Sequence, residues 1–214
     1  LSFDEVRVEA FELDDTIQDD LRQSLYRYAD KLPLSFEIFG GDFIETAVNH
    51  IQFGQGDFTH AILNPPYKKI NSNSRYRLLL RQVGIETVNL YSAFIALSML
   101  LMRPGGQIVA IIPRSFCNGP YYRPFRDFVL ERAAIRHIHL FESRSKAFKD
   151  DEVLQENVII QLERSGQQGP VTVSISTDDS FVDMSAHEYS FDRIVFPDDP
   201  GRFIHVPTSS EKNA

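Results

Sequence analysis

The chain has 214 residues, of which 43% are hydrophobic and 24% are charged, and its formal net charge is −8. This composition predicts one globular α/β domain with an appendage and excludes a fibrous or disordered chain. The single cysteine, Cys117, excludes a disulfide scaffold and a cysteine-rich zinc site, and it favours a reducing, cytoplasmic location. The longest apolar stretch, residues 90–102, is shorter than the roughly 20 residues that cross a bilayer, so we expect no membrane partner.

The first third of the chain alternates strand patterns with helix patterns. The predicted elements are a strand at Val6–Leu13, a helix at Thr16–Tyr28, a strand at Leu34–Phe39, a helix at Phe43–Phe53 and a strand at Phe58–Leu63. Either Asp14 or Asp15 is available to cap the first helix. The last strand must end at Pro65 and Pro66, because proline cannot donate to a β-ladder.

The same alternation continues through the rest of the chain. It predicts a helix at Thr87–Met102, a strand at Gln107–Ile112, a helix at Phe125–Arg132 and strands at Ile135–Phe141, Asn157–Leu162 and Val171–Ser176. Residues 143–155 form a long connection without helical period, and the pattern is weak beyond Thr177. Such a rhythm is typical of parallel strands joined by crossover helices. We predict an α/β fold with helices flanking one sheet.

The net charge conceals an uneven distribution. Residues 67–149, here called the basic segment, hold 14 Lys and Arg but 4 Asp and Glu, whereas residues 1–66 and 150–214 each hold 4 against 13. Ten of the 14 positive charges are arginines, whose planar fork suits phosphate. The basic segment therefore predicts a polyanion surface. Its candidate phosphate contacts include Arg75, Arg77, Arg81, Arg114, Arg123 and Arg126.

One tetrapeptide carries the sharpest chemical signal. Asn64-Pro65-Pro66-Tyr67 follows a strand directly, at the sheet edge where ligands of open α/β folds collect. Asn64 offers a side-chain carbonyl, Pro65 offers a main-chain carbonyl and Tyr67 offers a flat face. Two acceptors and a stacking plate suit a planar group with an exocyclic amine, such as adenine.

The tetrapeptide resembles the catalytic motif of S-adenosylmethionine-dependent DNA methyltransferases that act on amino groups, most often adenine N6. Other segments keep that family's order, and the likeness extends over residues 6–164, most closely to restriction-modification methylases of the PstI and BsuBI kind. These segments are Phe11-Glu12-Leu13-Asp14, Gly41-Asp42-Phe43, residues 89–94, residues 101–106, residues 143–148 and residues 153–157. The resemblance implies a Rossmann-like methyltransferase sheet, duplex DNA as substrate and a restriction endonuclease as partner.

The resemblance also implies roles for single residues. Asn64, Pro65, Pro66 and Tyr67 are expected to be catalytic. Phe148, Lys68 and Arg114 are expected to bind the substrate, Phe148 as the second face of the stacked base. The residues expected to bind the cofactor S-adenosylmethionine are Glu12, Leu13, Asp42, Phe43 and Phe94. His137 and His139 form an H-x-H pair, but no third ligand has suitable spacing, and we predict no metal site.

The family's Gly-rich cofactor loop is absent upstream of Glu12, and Gly54-Gln55-Gly56 precedes a strand, which is typical of a turn. We therefore expect a methyltransferase core at residues 1–165 that lacks its N-terminal strand, and a β segment at residues 166–214 that leads to a target-recognition region. Two alternatives stay open: a methylase acting on RNA or on protein glutamine, and a non-catalytic nucleic-acid-binding module with a degenerate fold.

Overall fold

A computed structural model describes residues 4–142 and 156–207 of the chain. They form two compact units, one ending at Thr46 and the other beginning at Ala47, so that the division falls inside one helix. No helix in the described ranges is long and apolar enough to cross a membrane.

The first unit is built on two parallel strands. β1 (Val6–Phe11) pairs with β2 (Leu34–Phe39) in register from Val6 opposite Leu34 to Phe11 opposite Phe39. The connecting helix α1 (Asp15–Ala29) begins after Asp14, whose carboxylate accepts from the Thr16 amide at 2.9 Å. Asp14 is thus the N-cap, since its side chain accepts a hydrogen bond from an amide in the first turn that has no partner within the helix. β1 ends before Leu13, and α2 (Phe43–Gln52) follows β2.

The second unit contains a six-stranded sheet. Its strands are β3 (Phe58–Leu63), β4 (Met102–Pro113), β5 (Ala133–Phe141), β6 (Asn157–Arg164), β7 (Val171–Ser176) and β8 (Ser185–Tyr189), in the spatial order β3-β4-β6-β5-β7-β8. β3 runs parallel to β4, and β5 runs parallel to β7. β6 lies antiparallel between β4 and β5, and β8 is antiparallel to β7. The strand-then-helix rhythm, which is typical of parallel strands, therefore does not describe β6, and β8 was not predicted as a strand.

Three helices and two short turns connect these strands. They are α3 (Arg75–Gln82), α4 (Leu90–Leu101) and α5 (Arg123–Arg132), with 3-10 turns at Arg114–Phe116 and Pro120–Tyr122, and a four-residue helix α6 (Phe191–Ile194) follows β8. α4 packs on β4 and α5 packs on β5. Ile108, Ala110 and Ile112 are fully buried on one face of β4, where burial of apolar surface stabilises the unit.

Two boundaries differ from the sequence expectation for visible reasons. α4 begins at Leu90 instead of Thr87, because Asn89 is extended and forms a β-bridge with Lys69. β4 begins at Met102 instead of Gln107, because the strand continues through a register shift that takes up the extra residues. Gly105 lies in that shift with a φ of +80°, which glycine adopts without strain.

Candidate active site

The Asn64-Pro65-Pro66-Tyr67 tetrapeptide, here called the N-P-P-Y loop, leaves the sheet where the sequence predicts. β3 ends at Leu63, whose partner is Ala110 of the parallel strand β4, so the loop starts at the carboxyl edge of two parallel strands. Asn64 and Pro66 are exposed, Pro65 is buried and Tyr67 is half-buried. The amide of Asn64 is therefore presented to solvent from a backbone that two prolines make rigid.

The chain beyond the loop is tied to the start of α4. The Ile70 amide donates to the Val88 carbonyl at 2.7 Å, and the Leu90 amide donates to the Lys68 carbonyl at 2.8 Å. With the bridge at Asn89, these bonds make residues 68–70 and 88–90 a short antiparallel pair. We call residues 68–70 the outgoing segment.

Tyr67 belongs to a row of three tyrosines. Its ring meets the edge of Tyr91 at a centroid distance of 6.2 Å and an interplanar angle of 89°, and Tyr91 lies 5.7 Å from Tyr122. The Tyr67 hydroxyl donates to the Ile111 carbonyl at 3.4 Å, which is long for such a bond. Burial raises the pKa of Tyr91, so this phenol stays neutral at physiological pH.

The predicted substrate-binding residues have different surroundings. Lys68 is exposed and makes no ion pair within residues 4–142 and 156–207. Arg114 donates to the Glu156 carboxylate at 3.2 Å, and its own amide donates to the Glu156 carbonyl at 2.6 Å. Phe148 lies outside the described residues.

Most other arginines of the basic segment are paired within the protein. Arg81 contacts Glu86 at 3.0 Å, and Arg123 contacts Asp127 at 3.6 Å. Arg126 is 1% exposed and, within the described residues, donates to main-chain carbonyls, so its inclusion among the candidate phosphate contacts is wrong. A buried guanidinium requires such acceptors, because an unpaired charge in the interior is costly.

The two histidines of β5 are bonded to serines of β7. His137 Nε2 and His139 Nδ1 lie 2.6 and 2.7 Å from the Ser174 hydroxyl, and His139 Nε2 lies 3.0 Å from the Ser176 hydroxyl. The Ser176 hydroxyl in turn donates to the Asp178 carbonyl at 2.7 Å. All four side chains are satisfied when both imidazoles are neutral, and burial lowers the pKa of both histidines.

In the first unit, two carboxylates follow neighbouring parallel strands. Glu12 comes directly after β1, and one of its carboxylate oxygens accepts from the Asp14 amide at 2.9 Å. Asp42 caps α2 after β2, and its Oδ1 accepts from the amides of Ile44 and Glu45 at 2.9 and 3.2 Å. Both acids therefore stand at the carboxyl edge of the two-stranded sheet.

The apolar residues predicted to contact a cofactor divide into two kinds. Leu13 is 67% exposed, so its side chain is available to a ligand. Phe43 packs edge-on against Phe11 at 5.1 Å and thus contributes to the packing of the first unit. Phe94, on α4 of the second unit, is half-buried on a helix that is otherwise mostly buried. Acid acceptors beside an exposed apolar side chain fit the hydroxyl and amine donors of a nucleoside.

Comparisons with known proteins assign the chain to a family. Residues 3–148 match the Eco57I restriction-modification methylase family. The chain belongs to this family. It is 53% identical over 208 residues to the type II methyltransferase M.BsuBI of Bacillus subtilis and 45% identical over 179 residues to M.PstI of Providencia stuartii. These matches cover 94% and 82% of this chain but 42% and 35% of the two relatives, so the chain spans less than half of their length.

The fold agrees with the family. The type IIG restriction endonuclease BpuSI superposes with a TM-score of 0.64 at 14% identity, over 90% of this chain and 29% of that chain. The Rossmann-like methyltransferase fold and the resemblance to PstI and BsuBI methylases are thereby confirmed. Methyltransferases of this fold generally use S-adenosylmethionine.

Residues 89–94 belong to a segment that resembles the family, but the sequence does not predict that Asn89, Tyr91 or Tyr122 supports the N-P-P-Y loop. Tyr91 and Tyr122 complete the tyrosine row, and the side-chain Nδ2 of Asn89 donates to the Tyr122 hydroxyl. A polar residue before an apolar helix reads as an ordinary cap, and a tyrosine after Pro120 reads as a surface residue. Their contacts join positions 33 residues apart, which no local pattern reveals.

Proposed function

We propose that the protein transfers a methyl group from S-adenosylmethionine to the N6 amine of adenine in duplex DNA, as the modification part of a restriction-modification system. The observation that carries this proposal is the N-P-P-Y loop at the carboxyl edge of β3 and β4, with Asn64 exposed and Tyr67 half-buried beside it. Membership of the methylase family supports the reaction class, and the adenine preference rests on the resemblance of the loop.

The loop activates a weak nucleophile. The lone pair of the adenine amine is delocalised into the ring, so the nitrogen attacks poorly. Hydrogen bonds from that amine to the Asn64 side-chain carbonyl and the Pro65 main-chain carbonyl favour a tetrahedral nitrogen and localise its lone pair. These acceptors act on charge that develops in the transition state, and no covalent nucleophile is needed. Burial raises the pKa of Cys117 to about 12, which makes this thiol a poor nucleophile.

The target base must leave the helix to reach the loop. Extrusion costs a few kcal/mol, and stacking on an aromatic face returns roughly 1–3 kcal/mol per base. Tyr67 offers the first face, and Phe148 is the residue that we propose for the second. Because the Tyr67 hydroxyl bond is long, replacement by Phe should be mild and replacement by Ala should weaken base capture.

The cofactor supplies an electrophilic methyl group on a sulfonium. We assign the ribose hydroxyls to Glu12 and the adenine amine of the cofactor to Asp42, because each acid follows a parallel strand. Leu13 and Phe43, which follow the same two strands, are proposed to contact the adenine ring, and a cofactor contact of Phe94 stays a prediction of the resemblance.

DNA is the polyanion that suits the basic segment. Lys68, next to the N-P-P-Y loop, is exposed, and Arg114 keeps part of its guanidinium accessible beside Glu156. If these side chains neutralise phosphates, duplex affinity falls steeply with salt, and each lost contact reduces the slope of log affinity against log salt by about one. An affinity that is insensitive to salt contradicts this assignment.

The test incubates the full-length natural polypeptide and labelled S-adenosylmethionine with unmethylated genomic DNA, with RNA and with protein as separate acceptors, followed by nucleoside analysis of the DNA for N6-methyladenine. We expect Asn64→Ala to lower methyl transfer by at least about a hundredfold while duplex binding changes by a few fold at most. Asn73→Ala, at an exposed asparagine of the same stretch, is the matched control and should transfer normally. Label in RNA or in protein glutamine, with none in DNA, would favour the alternative substrates, and duplex binding with no transfer to any of these acceptors would favour a non-catalytic module.

A further inference from the structure

The outgoing segment is held in place by its pairing with the residues at the start of α4. Asn89 lies opposite Lys69 in the short antiparallel pair, so the position of Asn89 sets the position of the chain that leaves the N-P-P-Y loop. Residues 68–70 are held to the protein by two main-chain hydrogen bonds beside this bridge. Anything that holds Asn89 therefore also holds the loop.

The side chain of Asn89 does not serve its own helix. An asparagine before a helix normally accepts from the amides of the first turn, but Asn89 makes no such bond. It is 7% exposed, its Nδ2 donates to the Tyr122 hydroxyl, and its Oδ1 has no partner within the described ranges. A missing cap bond and an unpaired buried acceptor both cost stability, so the bond that this side chain does make, to Tyr122, indicates a positioning role.

Tyr122 is itself held firmly. Its amide donates to the Gly119 carbonyl at 3.1 Å, and that carbonyl also accepts from the buried Arg126 guanidinium at 2.8 Å. Its ring packs against Tyr91, which meets Tyr67. Tyr122 thus reaches the N-P-P-Y loop twice, by its hydroxyl through Asn89 and by its ring through the tyrosine row.

We propose that Tyr122 and Asn89 are positioning residues that hold the N-P-P-Y loop in its reactive geometry through the outgoing segment. This inference rests on the proposed function for its catalytic consequence, but the positioning itself concerns only the protein. A phenylalanine at position 122 keeps the ring contact with Tyr91 and loses the contacts of the hydroxyl with Asn89 and with the Tyr91 hydroxyl.

Limited trypsin digestion tests the positioning without any measurement of activity. Trypsin cuts after Lys68 and Lys69, both exposed, when the outgoing segment opens. Loss of one hydrogen bond in Tyr122→Phe should speed these cuts by about fivefold. Cleavage after Arg193, an exposed site of the same unit, should not change. Unchanged rates after Lys68 and Lys69, or equal acceleration at all three sites, would overturn the proposal.

A second variant separates the contact from general damage. Asn89→Ala should speed the same cuts as Tyr122→Phe, and the double variant should be no faster than the faster single variant, because both changes break the same bond between the two side chains. Additive effects would show that the two residues act independently and would refute the proposal. Tyr121→Phe, at a tyrosine that is 79% exposed, is the matched control and should digest as the wild type does.

Methyl transfer then tests the catalytic consequence. In the full-length polypeptide, Tyr122→Phe should lower kcat by about tenfold and leave the Kd for duplex DNA within about twofold, because the loop is displaced and the DNA surface is not. A loss confined to DNA affinity would refute the positioning role. If the wild type transfers no methyl group at all, the proposed function fails, whereas the digestion experiment still decides whether Tyr122 holds the outgoing segment.

Discussion

Replacing the buried Arg126 by methionine removes a guanidinium that joins three parts of the second unit. Its Nη1 donates to the carbonyls of Phe116 and Gly119 at 2.9 and 2.8 Å, and its Nε and Nη2 donate to the Gly201 carbonyl at 3.1 and 2.8 Å. The guanidinium carbon also lies 4.8 Å from the centroid of the Phe203 ring. Arg126, on α5, therefore connects residues 199–206 to the turn after β4 by hydrogen bonds.

The expected loss in the free energy of unfolding follows from the carbonyl acceptors that the substitution leaves without a donor. The carbonyls of Phe116 and Gly201 lose the donors that the described residues give them, whereas the Gly119 carbonyl keeps its bond from the Tyr122 amide, and a buried unpaired acceptor costs about 1–3 kcal/mol. The contact with Phe203 adds about 1 kcal/mol, while the apolar methionine and water that reaches Gly201 return part of the loss. We expect Arg126→Met to lower the free energy of unfolding by about 4 kcal/mol, which corresponds to about 8–16 °C in Tm for a chain of this size.

Urea unfolding followed by circular dichroism measures this loss. Arg123→Met is the matched control, because Arg123 begins the same helix, is half-exposed and, among the described residues, pairs with Asp127 at the surface. Such a pair contributes about 1 kcal/mol or less, so the control should stay near the wild type. A loss for Arg126→Met below about 1 kcal/mol, or equal to that of the control, would refute the reasoning about unpaired carbonyls.

Two further predictions concern the second unit. Burial holds the pKa of His139 below its ordinary value, so the unfolded chain binds a proton that the folded chain resists. The free energy of unfolding should therefore fall as pH drops through about 6.5, and His139→Gln should flatten this dependence in urea titrations, whereas an unchanged pH profile would contradict it. Ile62, 89% exposed on the edge strand β3, should promote self-association, so Ile62→Lys should shift the sedimentation of the isolated chain towards the monomer; equal association would contradict this.

Much of the fold was predictable because its elements have strong local patterns. β2 and β3 have the predicted bounds, since apolar residues and following turn residues delimit them. α3 was missed because Arg75–Gln82 is polar apart from a few leucines, and only Leu80 is buried. β8 was missed because four of its five residues are exposed, so no buried face produces an alternating pattern.

The candidate site likewise contains residues that local sequence reveals and residues that only the folded structure reveals. The N-P-P-Y loop was found because proline chemistry and the end of a strand are both visible in a short stretch of sequence. Arg126 was misjudged because a buried arginine and a surface arginine look alike until their acceptors are known, and Gly201 lies 75 residues away. Asn89 was missed as a support because its partner Tyr122 is brought near only by the folded sheet.

The antiparallel pair beside the N-P-P-Y loop also brings together the two ends of residues 71–87. These residues therefore form a closed loop whose ends are hydrogen-bonded to each other. Ile70 and Val88 are bonded across its base, and inside it Arg77 donates to the Thr87 carbonyl. Because the free energy of closing such a loop rises only slowly with its length, an insert in the exposed turn at residues 71–73 should leave the base in place. This turn is therefore a suitable attachment point for a fluorescent label that tests the proposed approach of DNA to the N-P-P-Y loop.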